Sequence, residues 1–413
     1  MKILFLSQYI TIDENRLFSR NRTGYGLMVK DIAISVAKNE EVDLLTLSHF
    51  NPEMKYEKIL LLKHSQWDVI RYFNIKYLIC WLKFIYKYPV SFKRSLYLLY
   101  YYISLGYTSH IMKKGKYDFV HIHGLGAITN EYIERCKYHT IPFLITLHGL
   151  NGFSDSVMLE SSEKQYEKDF LRQAAEEKIS TNFISSGDLQ VVNEFLKKEC
   201  SNFYLINNGC EIFEIPVLID VRKKYNISPN DYVYVCVGNV TVRKNQIQAC
   251  RAYNLFPSKI KERVKILFVG GLCNGSEEVI NYININHLES SLIICGVVDK
   301  ERMGDYYQAA NATILLSVSE GFGLSIIEGF VYGLPNLTFY DLGAVNDVYD
   351  SDAMIVVEDR NDEALAEAML QMMKQNWDKE KIKRHSQKFS LENMAGKYID
   401  LYRKIIEESH GPV

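Results

Sequence analysis

At 413 residues, with 47% hydrophobic and 24% charged positions, the chain has room for two domains of ordinary size and is too apolar for a disordered protein. Its formal net charge of -2 supplies no global pull toward nucleic acid, which is not expected as a partner. No stretch reaches the ~18 uninterrupted apolar residues that read as a membrane-spanning helix. The eight cysteines include no Cys-x-x-Cys pair, and several, such as Cys236 within Tyr232–Val237, lie in apolar runs. Reduced, buried thiols are therefore expected in place of a disulfide or zinc framework.

The first apolar run, Ile3–Leu6, is too short for a signal peptide and reads as a buried strand. The protein is accordingly expected in the cytoplasm, or peripherally on the cytosolic face of a membrane. Similar runs predict strands at 2–7, 42–47, 119–123, 143–148, 182–186 and 203–206 in the first half. In the second half they fall at 232–237, 264–269, 292–295, 312–316, 336–340 and 354–357. Helical stretches alternate with them, the pattern of parallel α/β layers. The turn-forming run Asn207–Glu211 separates the two series and places a domain boundary near 210. The stretch Leu391–Glu408 reads as a terminal helix.

Taken along the chain, the segment Arg20-Asn21-Arg22-Thr23-Gly24-Tyr25-Gly26 precedes the helical pattern Met28, Val29, Ile32, Ala33, Val36 and is at least a flexible helix start. Residues 69–117 contain nine Lys or Arg and no Asp or Glu. On one continuous helix Ile70, Phe73, Tyr77, Trp81, Phe84 and Tyr88 fall within an arc of roughly 80°, flanked by Lys76, Lys83 and Lys87. Two readings follow: an aromatic stripe facing an anionic membrane surface, or a core-facing stripe with a solvated basic edge. The strands ending in His121, His123 and His148 bring those histidines to a sheet edge where ligands of open α/β sheets collect. A third metal ligand is not evident, and no metal is expected. Gly124-Leu125-Gly126 imitates a dinucleotide fingerprint without its third glycine.

After the strand at 232–237, Arg243 and Lys244 put a basic pair on a loop, solvated unless a ligand claims it. After the strand at 312–316, Glu320 falls in a strand-to-helix turn, and Glu328 eight positions later lies near the start of the helix. A turn that opens a helix presents free N–H groups and the positive end of the helix dipole, a site for phosphate. Gly321 and Gly323 would let a ligand approach the backbone closely. The carboxylates can accept hydrogen bonds from hydroxyls, which suggests a sugar on one side and a ribose on the other. Asp350-Ser351-Asp352 reads as a polar turn.

The run Ser319–Gly329, with its interleaved Gly321-Phe322-Gly323 and the following Gly333-Leu334-Pro335, resembles the Glu-x7-Glu signature of retaining GT-B glycosyltransferases, particularly glycosyltransferase family 4. The resemblance covers nearly the whole chain and is weakest from 50 to 115. It implies an α/β GT-B fold: two Rossmann-like domains with parallel sheets facing across a cleft. The acceptor side would be 1–209, with the crossover helix 391–413, and the donor side 210–390. The segment Gly238–Asn245 resembles the family's diphosphate-gripping loop, with Lys244 at the lysine position. Asn239 stands where the family has arginine, a charge that Arg243 would have to supply. By the same resemblance, Gly24 and Gly26 form the glycine loop facing the donor phosphates. His148 would contact the donor sugar, Glu320 would hold that sugar, and Glu328 the ribose. The backbone of Gly321, Phe322, Gly323 and Leu324 would meet the diphosphate.

The implied reaction moves a hexose or N-acetylhexosamine from a nucleoside diphosphate sugar to a glycan, lipid-linked or other acceptor, in polysaccharide or glycoconjugate synthesis. Attack comes from the face the diphosphate leaves, and no metal or cofactor is implied beyond the donor. A nucleotide-sugar epimerase of the same fold, or a catalytically silent sugar-nucleotide-binding subunit, are the alternatives.

Overall fold

The computed structural model describes residues 1–410 except 13, 14, 16, 17, 19–22, 48, 49, 154–159, 213 and 215. The Arg20–Arg22 part of the glycine loop, and the last three residues of the chain, thus lie outside the described residues. Two compact units form, Met1–Asn208 together with the segment from Leu391, and Gly209–Ser390.

The first unit is built on an eight-stranded sheet. Its strands are β1 (Lys2–Ser7), β2 (Glu41–Thr46), β3 (Met54–Tyr56), β4 (Ile59–Leu61), β5 (Phe119–His123), β6 (Phe143–Leu147), β7 (Thr181–Phe183) and β8 (Phe203–Leu205). They lie in the order β3-β4-β2-β1-β5-β6-β7-β8. Only the β3–β4 pair is antiparallel, and it is the pair the sequence does not disclose. Each strand is three residues long, too short to establish a two-residue period. β1 and β5 are buried on both faces, as parallel strands covered by helices must be.

On one face of this sheet the buried side chains of His121 and Asn182 take partners from the C-terminal helix Leu391–His410. Tyr402 Oη lies 2.6 Å from His121 Nδ1, and Asn182 Nδ2 donates to Tyr398 Oη at 3.1 Å. Buried polar groups require such partners, which ties the last helix to this sheet.

The stretch 69–117 forms parts of three helices, Gln66–Arg71, Ile75–Lys87 and Phe92–Gly115. The side chain of Asn74 caps the second by accepting from Lys76 N–H. That cap breaks the continuous helical phase the sequence suggests from Ile70 onward, and Ile70 and Phe73 are exposed. Tyr77 and Tyr88 are buried, and Trp81 and Phe84 pack partly buried against the core that holds Tyr77. This part of the stripe is core-facing. Trp81 Nε1 also donates to the Ser95 carbonyl at 3.1 Å. Trp81→Ala should therefore lower unfolding free energy by about 3 kcal/mol. An unchanged urea midpoint would contradict this placement.

The second unit holds β9 (Tyr232–Val237), β10 (Val264–Val269), β11 (Leu292–Gly296), β12 (Ala312–Leu315), β13 (Asn336–Phe339) and β14 (Met354–Val357). All pair in parallel in the order β11-β10-β9-β12-β13-β14. That is the doubly wound order, in which the first and fourth strands lie side by side and their outgoing loops diverge. Both faces are packed, one around Tyr234, Ile266 and Leu337, the other around Val235, Leu267 and Tyr307. All eight cysteines are free thiols. Cys136, Cys210, Cys236 and Cys250 are buried as expected, whereas Cys273 is exposed because it sits on the loop after β10. Asp350 and Asp352 form a turn in which Asp350 Oδ1 accepts from Asp352 N–H at 2.9 Å. Among the described residues no helix is long and apolar enough to cross a membrane.

Candidate functional site

The adjacency of β9 and β12 brings the two halves of the expected donor site together within the second unit. Thr313 pairs with Val235, so the loop after β9 and the loop after β12 leave the same sheet edge. Val318 N–H donates to the Arg243 carbonyl at 2.8 Å, which joins them. Lys244 Nζ then lies 2.5 Å from Glu320 Oε2, and Arg243 Nη1 lies 3.3 Å from the same oxygen. Ser317 Oγ donates to it as well, at 3.1 Å.

Burial opposes the charge on Glu320, but the Lys244 ammonium and the Arg243 guanidinium outweigh burial and hold its carboxyl below the usual range. Two cations and a carboxylate thus meet where a helix begins. Gly323 has φ +75, a left-handed conformation that favours glycine, and no side chain caps the Leu324–Val331 helix that follows. Its dipole adds positive potential beside Lys244 and Arg243. A site with this sign can take a diphosphate.

The other expected residues are placed unevenly. Glu328 lies one helical turn beyond Leu324, and Tyr307 Oη donates to its Oε2 at 2.6 Å. Phe322 is buried, its ring 6.1 Å from Phe389, so its side chain serves packing. Gly321 is partly exposed in the turn. Asn239 Oδ1 accepts from Gly271 N–H at 2.9 Å, so the residue at the arginine position steadies the loop after β10.

Two residues missed in the sequence also matter here. Tyr307 orients the Glu328 carboxylate and is itself stacked on Tyr332, ring centroids 5.3 Å apart. Arg360 Nη2 donates to the Ser317 carbonyl at 2.8 Å while Arg360 Nε grips Asp341 at 2.7 Å, which buttresses the turn carrying Glu320. Neither residue lies in a motif; each reaches the site only through the folded sheet.

In the first unit, the equivalent sheet edge gathers Ser7, Tyr25, His123 and His148. Tyr25 Oη donates to the His123 carbonyl at 2.8 Å and lies 2.7 Å from Ser7 Oγ. Its ring meets His148 edge-on at 5.0 Å. His123 Nδ1 and His148 Nε2 are 3.1 Å apart, so one proton is shared between the two rings. Gly24 opens the helix Gly24–Val36, and a side chain there would meet nothing within 4 Å. Gly26 differs: a Cβ would come within 2.4 Å of Thr11 Oγ1, so packing alone requires glycine.

Burial holds His148 down to about 4, and burial reinforced by its histidine neighbours holds His123 well below its usual value. A histidine depressed on folding takes up its proton more readily in the unfolded chain. Its contribution is complete above about pH 6.5 and is lost as pH falls toward 4. The first unit should lose roughly 3 kcal/mol over that range from His148 alone. The urea midpoint should fall between pH 7 and pH 4.5 and fall less in His148→Asn; identical slopes for the two proteins would contradict the assignment.

Residues 219–389 match the family model described as Glycosyl transferases group 1. A poly(glycerol-phosphate) alpha-glucosyltransferase of Bacillus subtilis (strain 168) is 29% identical over 218 residues, 52% of this chain and 32% of that protein. The chain thus spans about a third of that relative's length, and 53% and 51% of two further curated relatives. The sucrose-phosphate synthase structure from Thermosynechococcus elongatus superposes with a TM-score of 0.73 at 16% identity, covering 99% of this chain and 100% of that one. Anabaena Alr3699/HepE, solved in complex with UDP and glucose, gives a TM-score of 0.65 at 16% identity, covering 98% and 100%. At such identity these structures show the fold alone. The chain has the GT-B fold, and its residues 219–389 match the glycosyl transferases group 1 family model.

Proposed function

We propose that the chain is a retaining glycosyltransferase that moves a hexose or N-acetylhexosamine from a nucleoside diphosphate sugar to a glycan, lipid-linked or other acceptor in polysaccharide or glycoconjugate synthesis. The observation that carries this reading is the meeting of Lys244, Arg243 and an uncapped helix start around Glu320, inside a group 1 domain. A structural neighbour in complex with UDP and glucose supports the choice of donor class.

In this reading the donor diphosphate takes Lys244 and Arg243 from Glu320, and the N–H groups of Leu324 and Ser325 face its oxygens. Glu320, released from its cations, accepts hydrogen bonds from the donor sugar, while Glu328 accepts from the ribose hydroxyls. The bond between the anomeric carbon and the diphosphate breaks, and the acceptor oxygen bonds to that carbon on the same face. The acceptor proton passes to the departing phosphate oxygen. Charge grows on the diphosphate as the bond breaks, so cations fixed there stabilise the transition state more than the ground state.

A silent sugar-nucleotide-binding subunit is the second reading, favoured by Asn239 at the arginine position and its engagement with Gly271. A thermal-shift screen with UDP, GDP, ADP and their sugars tests the shared binding claim. One base should raise the melting temperature; no response to any of them would contradict both readings.

A further inference from the structure

The helix Ile75–Lys87 has two apolar faces, and only one is used inside the first unit. Tyr77, Trp81 and Phe84 point to the core, as described above. On the opposite side Ile75, Ile79, Leu82 and Tyr86 are between 50% and 90% exposed. At 100° per residue these four fall within an arc of about 60°, a stripe as narrow and regular as a buried one. Lys76, Lys83 and Lys87 are exposed and occupy an arc of about 40° along one border of that stripe. Asp169 lies 3.8 Å from Lys87, a solvent-exposed pair of little strength. The neighbouring helices add exposed apolar side chains of their own, Trp67 at 79% before it and Phe92 at 81% after it. Leaving so many large apolar groups in water is unfavourable, and a face of this kind marks a docking surface.

We infer that this face seats the first unit on an anionic lipid bilayer, with the helix lying in the headgroup plane and not crossing it. Charge selects the occupant. From 69 to 117 the chain carries nine Lys or Arg and no Asp or Glu. Arg94 is taken by Glu163 at 2.7 Å, and Glu131, Asp169 and Glu176 line a pocket beside Lys83 and Lys87. It is therefore the three lysines on the border of the apolar stripe that present positive charge to an anionic surface. A second copy docked face to face with the helices antiparallel would set the same basic border against itself across the two-fold axis, with like charges opposed. An amphipathic helix with lysines on its border and Ile, Leu and Tyr on its apolar side suits the interface of water and acyl chains. The inference does not depend on the transferase reading, because lipid binding requires neither donor nor turnover.

The test uses the full chain and sedimentation with vesicles. One set is pure phosphatidylcholine; the other contains about one third phosphatidylglycerol, where roughly 1 kcal/mol per basic residue is available. At low salt the protein should pellet with the anionic vesicles and not with the neutral ones. Raising salt from about 0.05 to 0.5 M should release it, since surface charges are then screened. Lys76→Gln, Lys83→Gln and Lys87→Gln together should weaken partitioning about a hundred-fold. Ile79→Ser, Leu82→Ser and Tyr86→Ser together should abolish it, with the melting temperature lowered far less than in Trp81→Ala because these side chains are already half or more in water. Wild-type protein that stays in solution with anionic vesicles at low salt would overturn the inference. So would either triple variant binding as tightly as wild type. A dimer in sedimentation velocity that the apolar triple variant dissolves, with vesicles ignored, would give the face to a second copy and overturn it equally.

Discussion

Lys244→Ala is expected to lower the turnover number by about a hundred- to a thousand-fold, the loss typical of removing one fixed group from a developing negative charge. The Michaelis constant for the donor should rise far less, because the diphosphate carries its fullest charge in the transition state. The structure adds a second consequence. Lys244 is one of two cations that keep the largely buried Glu320 ionised. Without it, burial gains weight and the Glu320 carboxyl should take up a proton more readily, leaving Arg243 as the remaining cation on that oxygen. Lys244→Arg keeps the charge but changes the shape of the donor group, and should retain part of the rate. An alanine variant with unaltered turnover would remove Lys244 from the diphosphate, whatever its contact with Glu320.

Glu328→Ala carries the second large effect, on affinity. A carboxylate that accepts from ribose hydroxyls contributes about 1.5–3 kcal/mol per bond, equivalent to roughly a ten- to hundred-fold change in Kd for each. Tyr307 fixes one oxygen of that carboxylate, so its direction is set before the ligand arrives. Tyr307→Phe keeps the ring stacked near Tyr332 and removes only the hydroxyl. It should weaken nucleoside diphosphate binding by less than ten-fold, since one net hydrogen bond is at stake. Calorimetry with the nucleoside diphosphate separates the two variants. Equal Kd for wild type and Glu328→Ala would remove that residue from the site.

How much of this was legible in the sequence depends on whether an element is local. The twelve strands announced by apolar runs are present because a doubly covered parallel strand shows hydrophobic residues at nearly every position, as in Ile3–Leu6 and Val233–Cys236. Glu320 and Glu328 were visible because one turn and one helix carry both. The ion pair of Lys244 with Glu320 was not, because those residues are 76 positions apart and meet only through the adjacency of β9 and β12. Arg360 and Tyr307 were hidden for the same reason. The helix Ile75–Lys87 shows a different limit. Its sequence contains two stripes of helical period, and periodicity cannot say which of them faces the core. The sequence stripe through Tyr77 and Trp81 proved to be the inner one, and the outer stripe became apparent only from exposure.

The most direct measurement of the central claim is release of nucleoside diphosphate from a sugar nucleotide by the purified chain without acceptor. A retaining transferase should release it slowly by transfer to water, with one preferred base, and Lys244→Ala should abolish the release. Binding of the same sugar nucleotide with no release would contradict the transferase account and leave a silent binding subunit. An altered sugar nucleotide appearing in place of free diphosphate would make the chain an epimerase.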